Sequence, residues 1–256
     1  MHPIDKSILV VTVLALSIGV ATAPQQKQPP KGFTSLFNGK DLGGWRGRQP
    51  NYNPVEEGKL SPDEHKQKQT EWDAARDQHW KVDTAKQEIV SDGQSPHLAT
   101  AKDYGDFEFY VDWLMVNHNG DSGVYLRGYP QVQVWDPDNP REVKNGAPKG
   151  SGALWNNNAD NPGKWPLVKA DNPVGEWNTF HVKMVGPRVW VWLNDKPTVE
   201  GQILDNFFDR SQPVVARGPI ELQTPDPKSV SATFSFARFL RPKRRRRCRN
   251  SPRNDG

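Results

Sequence analysis

The sequence predicts an all-β protein, a jelly-roll β-sandwich carrying one inserted surface helix. Two observations lead there. Strand-sized runs alternate with turn residues along most of the 256 residues, and hydrophobic residues make up only 34% of the chain while Gly and Pro number 21 and 23. Short strands that bury one face need fewer apolar residues than helices packed on all sides. No Gly-rich phosphate loop, βαβ alternation or internal repeat competes with this reading.

The N-terminus reads as an export signal. Lys6 precedes an apolar run, Ile8–Val20, and small residues Ala21-Thr22-Ala23 follow. That is the order of a signal peptide, and the run is shorter than the roughly 20 apolar residues of a comfortable membrane span. Pro24 disfavours cleavage after Ala23, so the expected cut follows Gly19-Val20-Ala21. The expected organisation is a signal peptide over 1–23, a Pro-rich linker over 24–32, one domain over 33–240 and a basic tail over 241–256. A secreted or periplasmic protein without stable membrane insertion after cleavage is implied.

Charge separates the tail from the body. Eight basic residues follow residue 240 against Asp255 alone, so the tail carries +7 of a formal +4 and the remainder carries −3. The pI therefore does not indicate a nucleic-acid surface, and none is expected as a partner. The single cysteine, Cys248, excludes an internal disulfide and a Cys-based metal site.

Within the body, "FTSLFNGKDLGGW" begins the packed region, with Asn38-Gly39 as a turn and Trp45 as a core anchor. Residues 61–79 differ: Ser61-Pro62-Asp63-Glu64 combines a cap, a first-turn Pro and a capping-box Glu, predicting a polar helix that ends near Trp80. Strands are then expected at "WKVD", "EIVS", "HLAT", "DFEFYVDWLMV", "SGVYLRG" and "PQVQVWD". After an Asn/Pro/Gly-rich stretch (136–175) come "WNTFHVKMVG", "RVWVWLND", "PIELQT" and "VSATFSFARF". Trp177 is expected in the core and Asn178 as a turn-fixing residue.

Strand parity selects the candidate site. Glu108, Tyr110 and Asp112 share one face of their run, Asp121, Tyr125 and Arg127 one face of the next, and Gln131, Gln133 and Trp135 one face of the third. Tyrosine and tryptophan among amides and charges suit sugars, whose C–H faces stack on rings while their hydroxyls bond to amides. Gln131 and Gln133 stand where a retaining glycosidase of this architecture carries acid-x-acid, and an amide can be neither nucleophile nor general acid. Ordinary two-carboxylate hydrolysis is disfavoured. His118 is expected at an exposed turn, and His97 and His181 carry weaker signals still. No His/Asp spacing specifies a metal, although loop carboxylates leave room for a divalent cation.

Several blocks, in order, resemble the 3-keto-disaccharide hydrolase family: "FTSLFNGKDLGGW", "YGDFEFYVDW", "NGDSGVYLRG", "PQVQVWD", "GSGALWN", "GEWNTFHVKMVG", "VWLND" and "GPIELQ", over about residues 33–224. The resemblance implies a concanavalin-like jelly roll and action on oxidised glycosides. A 3-keto sugar has an acidified C–H beside its ketone, so a base, an enolate stabiliser and a proton for the leaving oxygen suffice. Asp112 is the first candidate base, with Glu108 and Asp121 behind it, and Arg127 the enolate stabiliser. Tyr110, Tyr125, Gln131, Gln133, Trp135, Trp155 and Gln223 are the expected carbohydrate contacts. A non-catalytic carbohydrate-binding or cell-surface adhesion module is the alternative reading of the same face.

The C-terminus departs from the family, whose members follow "GPIELQ" with a His-Gly pair and a strand containing Arg-Asn-Ile. Losing the middle base of a His codon in CAC-GGA-TCC yields Pro-Asp-Pro, the residues found at 225–227. The codons allowed by the following residues spell the family ending in the neighbouring frame. A one-base deletion at Pro225 is therefore expected, with 225–256 out of frame. The competing expectation is a genuine strand with a polybasic tail.

Overall fold

The computed structural model describes residues 31–94, 96–225, 234–237 and 240–242, the last two segments as backbone. The signal-peptide expectation, and most of the basic-tail and reading-frame expectations, lie outside those residues. Among the described residues no helix is long and apolar enough to cross a membrane.

Two antiparallel sheets face each other. The first contains β1 (Trp45–Arg48), β4 (His97–Thr100), β11 (Ile220–Leu222), β6 (Asp121–Leu126) and β7 (Tyr129–Trp135), adjacent in that order. The second runs β10 (Lys196–Ile203), β9 (Arg188–Leu193), β8 (Trp177–Val185), β5 (Phe107–Met115), β12 (Phe234–Ala237), β3 (Glu88–Ser91) and β2 (Trp80–Asp83), with β13 (Leu240–Pro242) also pairing β5. Every expected strand run forms, the last of them described only over Phe234–Ala237. β1, β10 and β13 are additional, and region 136–175 holds short 3-10 turns instead of strands.

Period-two patterning places the core. Phe107, Phe109, Val111, Trp113 and Met115 of β5 and Phe180, Val182 and Met184 of β8 point inward from the larger sheet. They meet Val124 and Leu126 of β6, Val132 and Val134 of β7, Leu98, Ile220 and Leu222 from the smaller one. Trp45 joins them. Trp177, expected in the core, is instead 39% exposed, because it opens β8 before the sheet is covered. Asn178 is buried and its Oδ1 accepts from Asn172 N and Asn194 Nδ2, fixing the turn as expected.

Hairpin chemistry fixes the register. Asn194 and Asp195, at φ 49° and 65°, join β9 to β10, and Arg127 with Gly128, at φ 56° and 77°, join β6 to β7. Positive φ at both central residues is the type I′ pattern that matches strand twist.

The insertion holds two helices where one was expected: α1 (Pro54–Glu57), capped by Asn53, and α2 (Pro62–His79), opened by the Ser61/Glu64 capping box. α2 covers the open edge of β1. Gly47 N donates to Asp73 Oδ1, Gln69 Nε2 to Gly47 O and Arg76 Nη1 to Trp45 O. A Cβ on Gly47 would lie 2.1 Å from the Trp72 carbonyl oxygen, so only glycine permits this approach. An edge blunted in this way offers no unpaired backbone to another chain.

Candidate active site on the outer face of the five-stranded sheet

Directly opposite residues in a ladder share a face. The pairs Arg48↔His97, Ala99↔Glu221, Glu221↔Tyr125 and Gly123↔Gln133 therefore put Arg48, His97, Glu221, Tyr125 and Gln133 on the outer side of the smaller sheet. Gln131, Trp135, Asp121 and Gln223 follow by parity. This side is polar and largely buried: Arg48 and Glu221 are both 0% exposed, His97, Tyr125, Gln131, Gln133 and Trp135 are buried, and Asp121 and Gln223 at one end are half-buried.

Arg48 organises its charges. Nε donates to Glu57 Oε2, Nη1 to Glu221 Oε1 and Nη2 to the Tyr52 carbonyl, each at 2.7 Å. Burial opposes its charge, but the Glu221 and Glu57 carboxylates outweigh that and hold Arg48 protonated beyond its ordinary range. Burial likewise disfavours the Glu57 carboxylate, and Arg48 with Arg46 overcomes it, lowering its pKa. Tyr125 packs edge-on to His97 at 4.9 Å and donates to Asn51 Oδ1 at 2.9 Å. Burial, then Glu221 and Asp121, push its phenol well up, so it remains a donor.

Beside this frame lie buried polar atoms that make no hydrogen bond. Glu221 Oε2 and His97 Nδ1 sit 3.5 Å apart without a hydrogen bond, and Gln223 Oε1 is also unpartnered. Six buried side-chain atoms are in this condition among the described residues, and half of them fall on this one face. Leaving a buried polar group unpaired costs about 1–3 kcal/mol, so such a cluster calls for a ligand or a chemical role.

The glutamines form a chain. Gln131 Nε2 donates to Gln133 Oε1, and Gln133 Nε2 to Asp121 Oδ1 at 2.7 Å. Gly123 leaves the room: a Cβ there would lie 2.8 Å from Gln131 Cγ and 3.0 Å from Gln223 Oε1. Trp155 meets Trp135 edge-on at 5.7 Å at the end of this row.

The structure thus brings together Asp121, Tyr125, Gln131, Gln133, Trp135, Trp155 and Gln223, but not the expected base and enolate stabiliser. Asp112, Glu108 and Tyr110 lie on the outer side of the other sheet, because β5 belongs to that sheet and its alternate residues fill the core. Packed sheets are about 10 Å apart, which no side chain bridges through a filled core. There Asp112 accepts from Thr179 Oγ1 at 2.8 Å and Glu108 bonds His181 Nε2 at 2.8 Å. His181 stacks between Tyr110 and Trp192. Arg127 is a turn residue. Its side chain donates to the Gly105 and Val215 carbonyls and to Asp106, and burial lowers its pKa.

Glu221 and Arg48 were not singled out by sequence reasoning, and His97 was read only as a weak signal. The available signal was parity, since Glu221 alternates with Ile220 and Leu222 as the lone charge in a three-residue buried strand. His118 stands at an exposed turn against Asp136 at 3.1 Å. Among the described residues no group of three or more His, Cys, Asp or Glu side chains is arranged to hold a metal.

The model of the 3-keto-alpha-glucoside-1,2-lyase-like domain family matches residues 32–236. Two solved structures of candidate glycosyl hydrolases from Parabacteroides distasonis share the architecture. One is 22% identical with TM-score 0.53, covering 83% of this chain and 94% of the other. The second is 21% identical with TM-score 0.55, covering 84% and 85%. No functionally curated protein matches the chain.

Proposed function

Since the chain belongs to the 3-keto-alpha-glucoside-1,2-lyase-like domain family, a carbohydrate-active family, we propose that it cleaves 3-keto-glycosides by elimination and hydration on the outer face of the five-stranded sheet. The observation that carries this reading is the unpartnered, buried Glu221 Oε2 beside His97 Nδ1. Glu221 removes the proton from the carbon next to the ketone. The electron pair moves onto the ketone oxygen as an enolate and returns to expel the glycosidic oxygen from the adjacent carbon. Arg48 holds the other Glu221 oxygen and fixes the direction of attack. His97 or the Tyr125 hydroxyl donates to the developing enolate, and the proton taken by Glu221 passes to the leaving oxygen, which returns Glu221 to a carboxylate. Water adds across the resulting double bond, so the net change is hydrolysis. Positioned acid–base groups of this kind contribute about 10²–10⁴-fold each.

Asn51 and the Tyr52 carbonyl tie residues 49–53 to Tyr125 and Arg48, so substrate enters from the half-buried end at Asp121 and Gln223. Gln131, Gln133 and Gln223 serve the sugar hydroxyls. The chain is read as exported, with a product beginning at Thr22, which N-terminal sequencing of the secreted protein tests.

The experiment is incubation with a 3-keto-disaccharide in D2O. Free sugars should appear with deuterium at the carbon beside the ketone, and Glu221→Gln should cut the rate at least 100-fold. Full activity in Glu221→Gln refutes the assignment. Saturable binding without product would identify the alternative, a non-catalytic sugar module.

A further inference from the structure

A cavity of about 550 Å3 lies outside the face just described, between the helical insertion and residues 215–219. Its charged lining is Arg46, Glu57, His65, Asp103 and Arg217. The inner wall is the Arg46–Glu57 pair at 2.8 Å, mostly buried. The outer rim is exposed, and there Arg217 Nη2 donates to the Asp103 carbonyl at 2.6 Å. Arg48 separates the cavity from the candidate active site, because its fully buried guanidinium binds Glu57 on one side and Glu221 on the other.

We propose that this cavity is a second carbohydrate site, taking a neutral mono- or disaccharide independently of the chemistry at Glu221. Size comes first: the volume falls within the range of small-molecule sites. Charge comes second. Two arginines, Arg46 and Arg217, balance two carboxylates, Glu57 and Asp103. An anionic or cationic ligand would meet as much repulsion as attraction. A polyol uses both signs, its hydroxyls donating to the carboxylates and accepting from the guanidinium groups. Pre-organisation comes third. Glu57 is held at one oxygen by Arg46 and at the other by Arg48, and Arg46 is tied to Gln69 besides. The donors and acceptors of the inner wall are thus fixed before a ligand arrives, which lowers the entropic cost of binding. Pro54, Pro62 and Pro219 supply rigid apolar faces for the ring carbons.

The test is an NMR titration of the full chain with glucose, sucrose and trehalose, followed at the amides of Gly58 and Gly218, which line the cavity, and of Gly123 in the other site. Saturable shifts at Gly58 and Gly218 are expected. Arg217→Ala and Asp103→Ala, both on the exposed rim, should each weaken binding about tenfold. Glu221→Gln should leave this binding unchanged while abolishing turnover. Shifts confined to Gly123, or no shifts at all, overturn the proposal, as does binding indifferent to both rim variants. Glucuronate or glucosamine binding tenfold more tightly than glucose refutes the neutral class. Absence of turnover on 3-keto-disaccharides would remove the catalytic reading and leave this titration standing.

Discussion

Replacing Arg48 with methionine should be the most damaging single change on the active face. The side chain is wholly buried and joins two carboxylates, Glu57 and Glu221, besides a backbone carbonyl. Methionine preserves much of the volume, so the loss is chiefly electrostatic. It leaves the Glu221 carboxyl buried and without its cation partner. Removing one partner of a buried pair costs about 3–5 kcal/mol. For a domain of this size that corresponds to a fall in Tm of roughly 6–20 °C. The double variant Arg48→Met/Glu221→Gln removes the orphaned charge and should be less destabilised than the sum of the singles by about 2 kcal/mol. Urea unfolding of the four proteins measures all of this. A loss below about 1 kcal/mol with strict additivity would refute the claim that Arg48 neutralises Glu221.

Three further outcomes follow from the same geometry. Asp112→Asn keeps the acceptor for Thr179 Oγ1 and lies on the far sheet, so turnover should be unchanged and stability lowered by less than about 1 kcal/mol; a 100-fold rate loss would return the base to Asp112. Gly123→Ala should cost about 1–3 kcal/mol by overpacking against Gln131, read by chemical denaturation, and should weaken sugar binding by displacing the amide row. Glu57, with its pKa held low by the two arginines against the cost of burial, stabilises the fold above its unfolded pKa of about 4.5, and that contribution is lost as pH falls through the folded value. Glu57→Gln should therefore flatten the acid side of the stability curve, which thermal unfolding between pH 3 and 6 checks.

The fold was legible because its signals are local. Period-two burial in β5, β8 and β9 and the Ser61/Glu64 capping box each act within a few residues. β1 was hidden for an equally physical reason. Its four residues carry two arginines, whose partners Glu57 and Glu221 lie 9 and 173 positions away. Nothing beside Arg48 in the chain announces that it is a buried strand residue. The missed first turn of helix, α1, has only four residues and no buried side chain.

The site was half legible, and the main division comes from sheet membership. Alternation tells which residues share a face of one strand, but not which of two sheets a strand joins. β5 and β6 both alternate apolar with polar-aromatic residues, and the Asn119-Gly120 stretch between them looks like a hairpin turn. The chain instead crosses from one sheet to the other there, so Asp112 and Asp121 leave in opposite directions. Arg127 fails differently: parity was continued one residue past the strand into a turn with positive φ, where alternation no longer applies. Glu221 was obscured by its apolar neighbours, since a lone acid inside a three-residue strand reads as an edge residue until a buried arginine is found opposite it. A carboxylate can be kept ionised in such a place only by a cation fixed as firmly as itself. That requirement links Glu221 to Arg48, Arg48 to Glu57 and Glu57 to the helical insertion, so the insertion positions the charge on which the proposed chemistry depends.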